Sequence, residues 1–117
     1  NAQTTETFAM GGEKVPKGSS AISGASYKGH AKVVQSLIDH GADVNIKDDV
    51  WLMDPLYLAS YGQHLDVVKI LIANGADVFA ECKRGTAHSN AYVQGNKRIL
   101  ECINDARKQA KEEGSND

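Results

Sequence analysis

The chain has 117 residues, of which 41% are hydrophobic, 24% charged and 6% aromatic, which is the balance of one small globular domain. Its net charge of −2 lacks the basic excess that binding to a phosphate backbone normally requires, so nucleic acid is not an expected partner. No apolar stretch approaches the roughly 20 residues of a membrane span. The two cysteines, Cys82 and Cys102, are too few for a disulfide framework or a zinc site.

Residues 1–17 open the chain without a usable apolar stripe and are too few for a folded unit of their own. We predict that they form an N-terminal arm, for which disorder is one expected state, or the remnant of a preceding loop. They also lack a basic region followed by an apolar core, so no secretory signal is expected. Together with the two thiols, this pattern favours a cytoplasmic or nuclear location.

From residue 18 onwards the chain repeats itself with a shift of 34 residues. The sequence Gly-Ala-Asp-Val at 41–44 returns unchanged at 75–78, and the twenty positions from 25 to 44 share twelve identities with their copies. A third, weaker copy follows at a shift of about 32, in which Ala91, Gly95, Ile99, Leu100 and Ile103 replace Ala59, Gln63, Val67, Val68 and Leu71. The period predicts a domain over 18–113, built from stacked units at about 18–51, 52–84 and 85–113, with a disordered tail over 114–117.

Each unit has the apolar spacing of two short helices joined by a tight turn. In the second unit, Pro55 suits the first turn of the opening helix and Gly62 follows its end. The next helix carries one continuous apolar stripe, and Gly75 can close it with a positive φ. The stripe consists of Val67, Val68, Leu71 and Ile72, which repeat Val33, Val34, Leu37 and Ile38 of the first unit. Because one helix pair cannot bury both of its faces, burial has to come from stacking neighbouring units.

Two motifs of the repeat resemble the ankyrin-repeat family: Gly-His at 29–30, before the second helix, and Gly-Ala-Asp-Val-Asn at 41–45. The resemblance covers roughly residues 18–106 and implies an all-α solenoid of stacked helix-loop-helix units with β-hairpin-like finger loops. The family's Thr-Pro-Leu-His opening is eroded, since its His position holds Ser23, Tyr57 and Ser89. In the family this His helps to tie a loop to its neighbour, so its loss predicts weaker or rewired hydrogen bonding between units.

The resemblance also implies a non-catalytic scaffold that binds another protein through the finger tips and the concave surface of the first helices. Carried over by position, the tip residues are Asp49, Val50, Trp51, Met53, Lys83 and Arg84, and the helix residues are Tyr27, Lys28, Tyr61, Val93 and Gln94. We expect the chain to be a monomer in isolation. A structural role as a fragment of a longer ankyrin array is an alternative.

The tip of the second finger, residues 50–53, is an apolar run at a place where the family commonly has polar residues and glycine. Because Trp and Met are enriched at the centres of interfaces, an exposed Trp51 would be a contact anchor, ringed by Lys47, Asp48 and Asp49. The alternative is that Trp51 folds back over the gap left by the missing motif His and glycine.

A catalytic function is the competing hypothesis, since hydroxyl, imidazole and thiol groups are all present. Ser23 and Ser89 occupy motif-His positions, His88 lies at the motif's Leu position, and Lys83 and Arg84 place positive charge beside the Cys82 thiol. A nucleophile needs a base within hydrogen-bond reach, and no Gly-x-Ser-x-Gly elbow is present. We therefore predict no catalytic residues. An esterase-like hydrolase or a thiol-dependent activity, natural or engineered, remains the alternative.

No metal or cofactor site is predicted. His30 and His64 occupy equivalent positions that would stand near each other in the stack, but no Cys or carboxylate accompanies them at ligand spacing. Each is expected to cap its own second helix. Of the two thiols, Cys82 is expected at an exposed loop tip and Cys102 at a buried core position.

Overall fold

The computed structural model describes residues 21–115, with side chains as far as residue 112. In this range the chain forms six helices: α1 (Ala21–Lys28), α2 (Ala31–Asp39), α3 (Pro55–Tyr61), α4 (Leu65–Ala73), α5 (Ala87–Gln94) and α6 (Lys97–Ser115). The two strands of the same range, β1 (Glu81–Cys82) and β2 (Gly85–Thr86), form an antiparallel hairpin with Glu81 opposite Thr86. The predicted all-α repeat architecture is confirmed.

Two of the predicted boundaries concern the ends of the chain. The arm predicted over 1–17 lies outside the described residues. At the other end, α6 continues to Ser115, whereas the sequence analysis places the end of the folded domain at residue 113.

The helices stack in two layers, because each unit contributes one helix to each layer. Helices α1, α3 and α5 pack side by side, as do α2, α4 and α6, and the two helices of each unit pack against each other. The apolar side chains of the middle unit are shielded from solvent: Ala59, Val67, Val68 and Leu71 are all fully buried. The apolar stripes of the sequence therefore face the interior between units, as stacking requires.

Val33 departs from the predicted stripe. Its side chain is 39% exposed, although Val67 and Ile99 at the same position of the next two units are fully buried. Within the described residues, α2 packs chiefly against α1 and α4, whereas α4 has an outer-layer helix on each side. The helix that carries Val67 is preceded in this layer by α2, and the helix that carries Ile99 is preceded by α4, whereas no described helix precedes α2.

The ends of α3 and α5 follow from local side-chain chemistry. Asp54 accepts a hydrogen bond from the Tyr57 amide (3.1 Å), and Pro55 occupies the first turn. Thr86 and Ser89 form a capping box, in which each side-chain oxygen accepts the other's backbone N–H at 3.0 Å. Ser89, at the eroded motif-His position, thus fixes the start of its own helix.

The side chain of His64, the N-cap residue of α4, links the first two units. His30 and His64 occupy the N-cap positions of α2 and α4, as expected, but neither side chain makes a cap hydrogen bond. The Nε2–H of His64 donates to the carbonyl of Tyr27 at 2.9 Å. The imidazole fits there because Gly29 and Gly62 lie against it, and a Cβ at either position would clash with the ring.

Gln94 makes the corresponding bond between the second and third units. Its Nε2 donates to the carbonyl of Tyr61 at 3.1 Å, and Tyr61 is the copy of Tyr27. Different residue types therefore donate to equivalent backbone carbonyls at the two successive interfaces.

Ser26 and Ser60 occupy the same position in successive units but have different hydrogen bonding. Both side chains are fully buried. The Ser60 hydroxyl lies 3.2 Å from the carbonyl of Ala87 and 3.2 Å from the Oδ1 of Asn90, both in the next unit. Among residues 21–115, the Ser26 hydroxyl has no hydrogen-bond partner.

We predict opposite effects of alanine at these two positions. Ser60→Ala should lower the free energy of unfolding by about 1–2 kcal/mol, since it removes a bond and leaves a buried acceptor unpaired. Ser26→Ala should leave it unchanged or raise it by up to about 1 kcal/mol, since an unpaired buried hydroxyl is removed. Urea denaturation of both variants measures this, and equal losses would contradict the assigned role of Ser60.

Candidate functional site

The second finger, residues 40–54 between α2 and α3, presents three consecutive apolar side chains to solvent. Val50, Trp51 and Leu52 are 49%, 48% and 41% exposed, and we call these three residues the apolar tip. Met53 is only partly buried. A run of three exposed apolar residues is unusual for a loop and is characteristic of contact surfaces.

One carboxylate holds the backbone of the apolar tip. The Oδ1 of Asp48 accepts the amide N–H groups of Val50 (2.8 Å), Trp51 (2.6 Å) and Leu52 (3.2 Å), and its Oδ2 accepts that of Met53 (3.1 Å). The Asp48 amide in turn donates to the Met53 carbonyl at 3.2 Å, which closes the loop. These bonds also hold Leu52 at a φ of +61°, a left-handed conformation that is rare for such a side chain. The tip is therefore fixed from within.

Asp48 is thus not on the polar rim of the tip, where the sequence analysis expected it. It is only 8% exposed, and its carboxylate points into the loop because four amide groups converge on it. Asp49 remains exposed, as a rim residue should be. The role of Asp48 as an acceptor for the loop amides was not predicted, and Leu52 was left out of the predicted site. An Asp that precedes a loop without Gly or Pro is the sequence signal that could have indicated both.

The two aspartates of this finger have pKa values shifted in opposite directions. Burial raises the pKa of Asp48, but the amide hydrogen bonds from Trp51, Val50, Met53 and Leu52 together outweigh it, and the net pKa is lowered. For Asp54, burial dominates over the Tyr57 amide bond, and the pKa is raised. Asp48 accepts four amide hydrogen bonds, whereas Asp54 accepts fewer and is more deeply buried, and both differences act in the same direction.

The third finger, residues 74–86, supports the apolar tip from one side. The Lys83 amide donates to the Trp51 carbonyl at 2.8 Å, and the Arg84 guanidinium lies 5.8 Å from the centre of the Trp51 ring. Lys47 of the second finger donates from its Nζ to the Glu81 carbonyl at 3.1 Å. The Trp51 ring contacts Arg84 of the third finger and remains about half exposed. In the folded-back alternative the ring would be covered by its own finger.

Asn45 connects the same two fingers at their base. Its Oδ1 accepts the Asp77 amide N–H at 2.7 Å, and its Nδ2 donates to the Gly75 carbonyl at 3.2 Å. The copy of Asn45 in the third finger is Phe79, which is 38% exposed and lies 4.9 Å from the Arg107 guanidinium. The side-chain amide of Asn45 therefore joins the second finger to the third. At the equivalent position of the third finger, the Phe79 ring makes a cation–π contact with Arg107 instead.

The helix residues predicted for binding form a second group. The rings of Tyr27 and Tyr61 stack with centroids 5.9 Å apart, and Tyr61 stacks on buried Tyr57 at 6.3 Å. Tyr27 and Tyr61 are 46% and 42% exposed, and Lys28 is exposed as well. We call Tyr27, Tyr57 and Tyr61 the tyrosine ladder. Burial raises the pKa of Tyr57, and the charge of Arg84 partly opposes this shift.

The last two predicted positions lie in the third unit. Val93 is 81% exposed, whereas Gln94 is partly buried and is used in its bond to Tyr61. The structure thus brings Trp51, Lys83 and Arg84 together at the finger tips and Tyr27 and Tyr61 together on the helices. Val93 makes none of the contacts that join the ladder, because it replaces an aromatic ring by a smaller side chain.

The groups considered for catalysis have other structural partners. The Ser89 hydroxyl donates to the Thr86 carbonyl at 2.9 Å, and the Nε2 of His88 lies 2.7 Å from the Oδ1 of Asn104. Ser23 is 3% exposed, and the Cys82 sulfur accepts the Arg84 amide N–H at 3.3 Å. Across the described residues, no three His, Cys, Asp or Glu side chains group as they would around a metal ion. No helix within 21–115 combines the length and apolarity needed to cross a membrane.

A family model described as ankyrin repeats (3 copies) matches residues 4–82, more than half of the chain. The chain belongs to the ankyrin-repeat family. Ankyrin repeats are generally protein–protein interaction modules and are typically non-enzymatic. Among curated proteins, no sequence matches this ankyrin-repeat chain. The matched segment ends within the third finger, and the α5–α6 pair follows it.

Both thiols of this ankyrin-repeat chain are free and only partly buried. The sequence predicts Cys82 at an exposed loop tip and Cys102 at a buried core position, whereas both are partly buried. Cys102 packs against the core from its margin, and Cys82 lies within strand β1 of the hairpin, beside its turn. Burial nevertheless raises the pKa of the Cys102 thiol.

We predict that replacing Asp48 by Asn lowers the free energy of unfolding by about 1–3 kcal/mol, since charge-assisted bonds to four amides are weakened. Asp49→Asn, the control at the exposed neighbour, should change it by less than about 0.5 kcal/mol. Because the folded-state pKa of Asp48 is lowered, its contribution is present at neutral pH and is lost as the pH falls through that pKa. The difference between wild type and Asp48→Asn, measured by denaturation at pH 7 and below about 4, should therefore shrink on acidification. A constant difference would contradict the carboxylate's role.

A second prediction concerns the thiols. Cys82 should react faster than Cys102 with a maleimide reagent at neutral pH, because the raised pKa of Cys102 reduces its thiolate fraction and burial limits access. The single variants Cys82→Ser and Cys102→Ser assign the two rates. Similar rates would mean that the third unit opens readily in solution.

Proposed function

We propose that this ankyrin-repeat chain is a non-catalytic scaffold that binds another protein, with the apolar tip as its anchor. The single observation that supports this is that Val50, Trp51 and Leu52 are exposed together on a loop that a buried carboxylate holds rigid. The proposal includes Asp49, Met53, Lys83 and Arg84 around the tip and, on the helices, Tyr27, Lys28, Tyr61, Val93 and Gln94. The proposal also includes that the chain acts as a monomer in the cytoplasm or the nucleus.

Rigidity is what makes the apolar tip favourable for binding. Ordering a loop on association costs free energy, about 0.5–1.5 kcal/mol for each immobilised side chain and more for the backbone. Here the four bonds to Asp48 and the Lys83 bond to the Trp51 carbonyl already hold the backbone before a partner arrives. A partner would then gain the burial of three apolar side chains with little ordering cost.

The charges around the tip give it a polar rim. Asp49 is exposed on the second finger, and Lys83 and Arg84 are exposed on the third. Arg84 already contacts the Trp51 ring, so a partner's carboxylate could meet it without separating it from the indole. An apolar centre inside a charged rim is the arrangement of many specific interfaces.

The tyrosine ladder supports a contact that extends from the tips onto the helices. Tyrosine offers a large contact area and a hydroxyl at a small loss of side-chain freedom. Tyr27 and Tyr61 are each nearly half exposed and lose still less, since they already stack on each other. They would add area beside the anchor.

We predict that Trp51→Ala weakens binding of the partner by about 2 kcal/mol or more and changes the free energy of unfolding by less than about 1 kcal/mol. The partner is first identified by comparing proteins captured from lysate by wild type and by Trp51→Ala, and its affinity is then titrated. Phe79→Ala is the control, since it truncates another exposed aromatic ring of a finger. Trp51 is the only Trp, so its native emission should be accessible to a quencher. A protected, blue-shifted emission, or a large loss of stability in Trp51→Ala, would reject the anchor.

A further inference from the structure

Asn74 is the only asparagine of the chain that a glycine follows. Because glycine has no side chain to obstruct its own amide nitrogen, this is the asparagine pair in which that nitrogen reaches the preceding carboxamide most easily. Asn74 and Gly75 are both exposed, and they lie where α4 ends and the third finger begins. Water and hydroxide can therefore reach the pair.

The reaction open to this pair needs no partner other than water. The Gly75 amide nitrogen, once it has lost its proton to hydroxide, attacks the Cγ of Asn74. A C–N bond forms, and the side-chain nitrogen leaves as ammonia after taking a proton from water. Water then opens the five-membered succinimide at one of its two carbonyls. One opening gives aspartate, and the other gives isoaspartate, in which the main chain runs through the former side chain. No atom is oxidised or reduced.

The end of α4 holds the two reacting groups apart. Ring closure needs the Asn74 Cβ and the Gly75 nitrogen on the same side of the Cα–C bond, whereas a ψ of 20° at Asn74 turns the nitrogen away. The Nδ2 of Asn74 donates to the Ile70 carbonyl at 2.8 Å, which holds the carboxamide against the last turn of the helix. The Gly75 N–H donates to the Ile72 carbonyl at 3.2 Å, and a hydrogen-bonded amide loses its proton less readily.

Two further hydrogen bonds hold this helix end in place. The Ala76 N–H donates to the Leu71 carbonyl at 3.0 Å, across Gly75 with its φ of +94°. The Nδ2 of Asn45, on the second finger, donates to the Gly75 carbonyl at 3.2 Å. Reaction at Asn74 therefore requires the last turn of α4 to open, and such local opening costs less free energy than unfolding of the whole chain.

The first unit forms the same helix end without an asparagine. His40 and Gly41 are the copies of Asn74 and Gly75, and Gly41 has a φ of +95°. The Nδ1 of His40 lies 2.7 Å from the Ser36 carbonyl, as the Asn74 side chain does from its own preceding turn. A histidine at position 74 is thus a replacement that this fold already uses.

We propose that Asn74 is a site of spontaneous conversion to aspartate and isoaspartate, and that opening of the last turn of α4 controls its rate. The isoaspartyl form adds one atom to the main chain at the helix end, which displaces the bonds that Gly75 and Ala76 make to the preceding turn. It also places a negative charge at a helix C-terminus, where the helix dipole disfavours it. The converted chain is therefore less stable at the base of the third finger.

The test compares the folded chain, the chain unfolded in urea and a peptide of residues 68–80, all incubated at neutral pH. Mass spectrometry of digests detects the gain of one mass unit, and chromatography separates the aspartyl and isoaspartyl peptides. We expect Asn74 to convert before every other asparagine, at similar rates in the peptide and the unfolded chain and about tenfold to a hundredfold more slowly in the folded chain. Equal rates in the folded chain and the peptide would remove the control by the helix end. Earlier conversion of another asparagine, or none in the folded chain over about a hundred half-lives of the peptide, would overturn the site.

Two variants separate local opening from unfolding of the whole chain. Asn45→Ala removes the bond to the Gly75 carbonyl and should accelerate conversion of Asn74 at least threefold. Ser60→Ala, which loses its bonds to the next unit away from this helix end, should leave the rate within twofold. Circular dichroism checks that both variants are folded. Equal acceleration by both would show that the reaction waits for global unfolding, which contradicts the proposed control.

Replacements at position 74 itself test the consequence for stability. Asn74→His should fold with the same helix end and show no conversion at this position. Asn74→Asp supplies the charge without the added main-chain atom. Chain purified in the isoaspartyl form should therefore unfold at a lower urea concentration than Asn74→Asp. Unfolding of the two at the same urea concentration would contradict the displaced helix end.

Discussion

Burial between neighbouring units is the constraint on which the rest of this structure depends. A pair of helices of seven and nine residues has too little interior to stand alone, so the apolar side chains of the middle unit are buried against the units on either side. Polar side chains at each interface must then find hydrogen-bond partners in the neighbouring unit without disturbing the apolar packing. His64 and Gln94 do this at successive interfaces by donating to the carbonyls of Tyr27 and Tyr61. Two side chains of different chemistry thus donate to backbone carbonyls at equivalent positions of successive units.

The second finger solves a different problem, which is how to expose apolar residues on a loop without letting the loop collapse. Three apolar side chains in solvent would ordinarily favour a compact alternative in which they pack against each other or the core. Asp48 opposes this from inside the loop, because each rearrangement of residues 50–53 would strip an amide from its carboxylate. Exposure at the tip is therefore sustained by burial of a charge beneath it.

The sequence predicts the repeat, the two helices of each unit and the glycine closures, since these depend on spacing along the chain. Val67, Leu71 and Gly75 are examples, because stripe and turn are both local properties. The role of Asp48 inside its loop and the bond of His64 between units were not predicted. The role of Asp48 depends on how the loop folds four following amides onto its carboxylate, and that of His64 on its contact with the first unit, where Gly29 and the Tyr27 carbonyl lie. Trp51 stands between these cases, since its position was predicted and its contact with Arg84 was not.

The bond between the Lys83 amide and the Trp51 carbonyl also has a mechanical consequence. A partner that pulls on the indole would load the second and third fingers together, because Asn45 and Lys47 tie the same two loops at other points. Tension would thus be shared among several parallel hydrogen bonds instead of breaking them one after another. The two units on either side of the tip would then resist detachment as one body, and force applied at a single side chain would be carried into both helical layers.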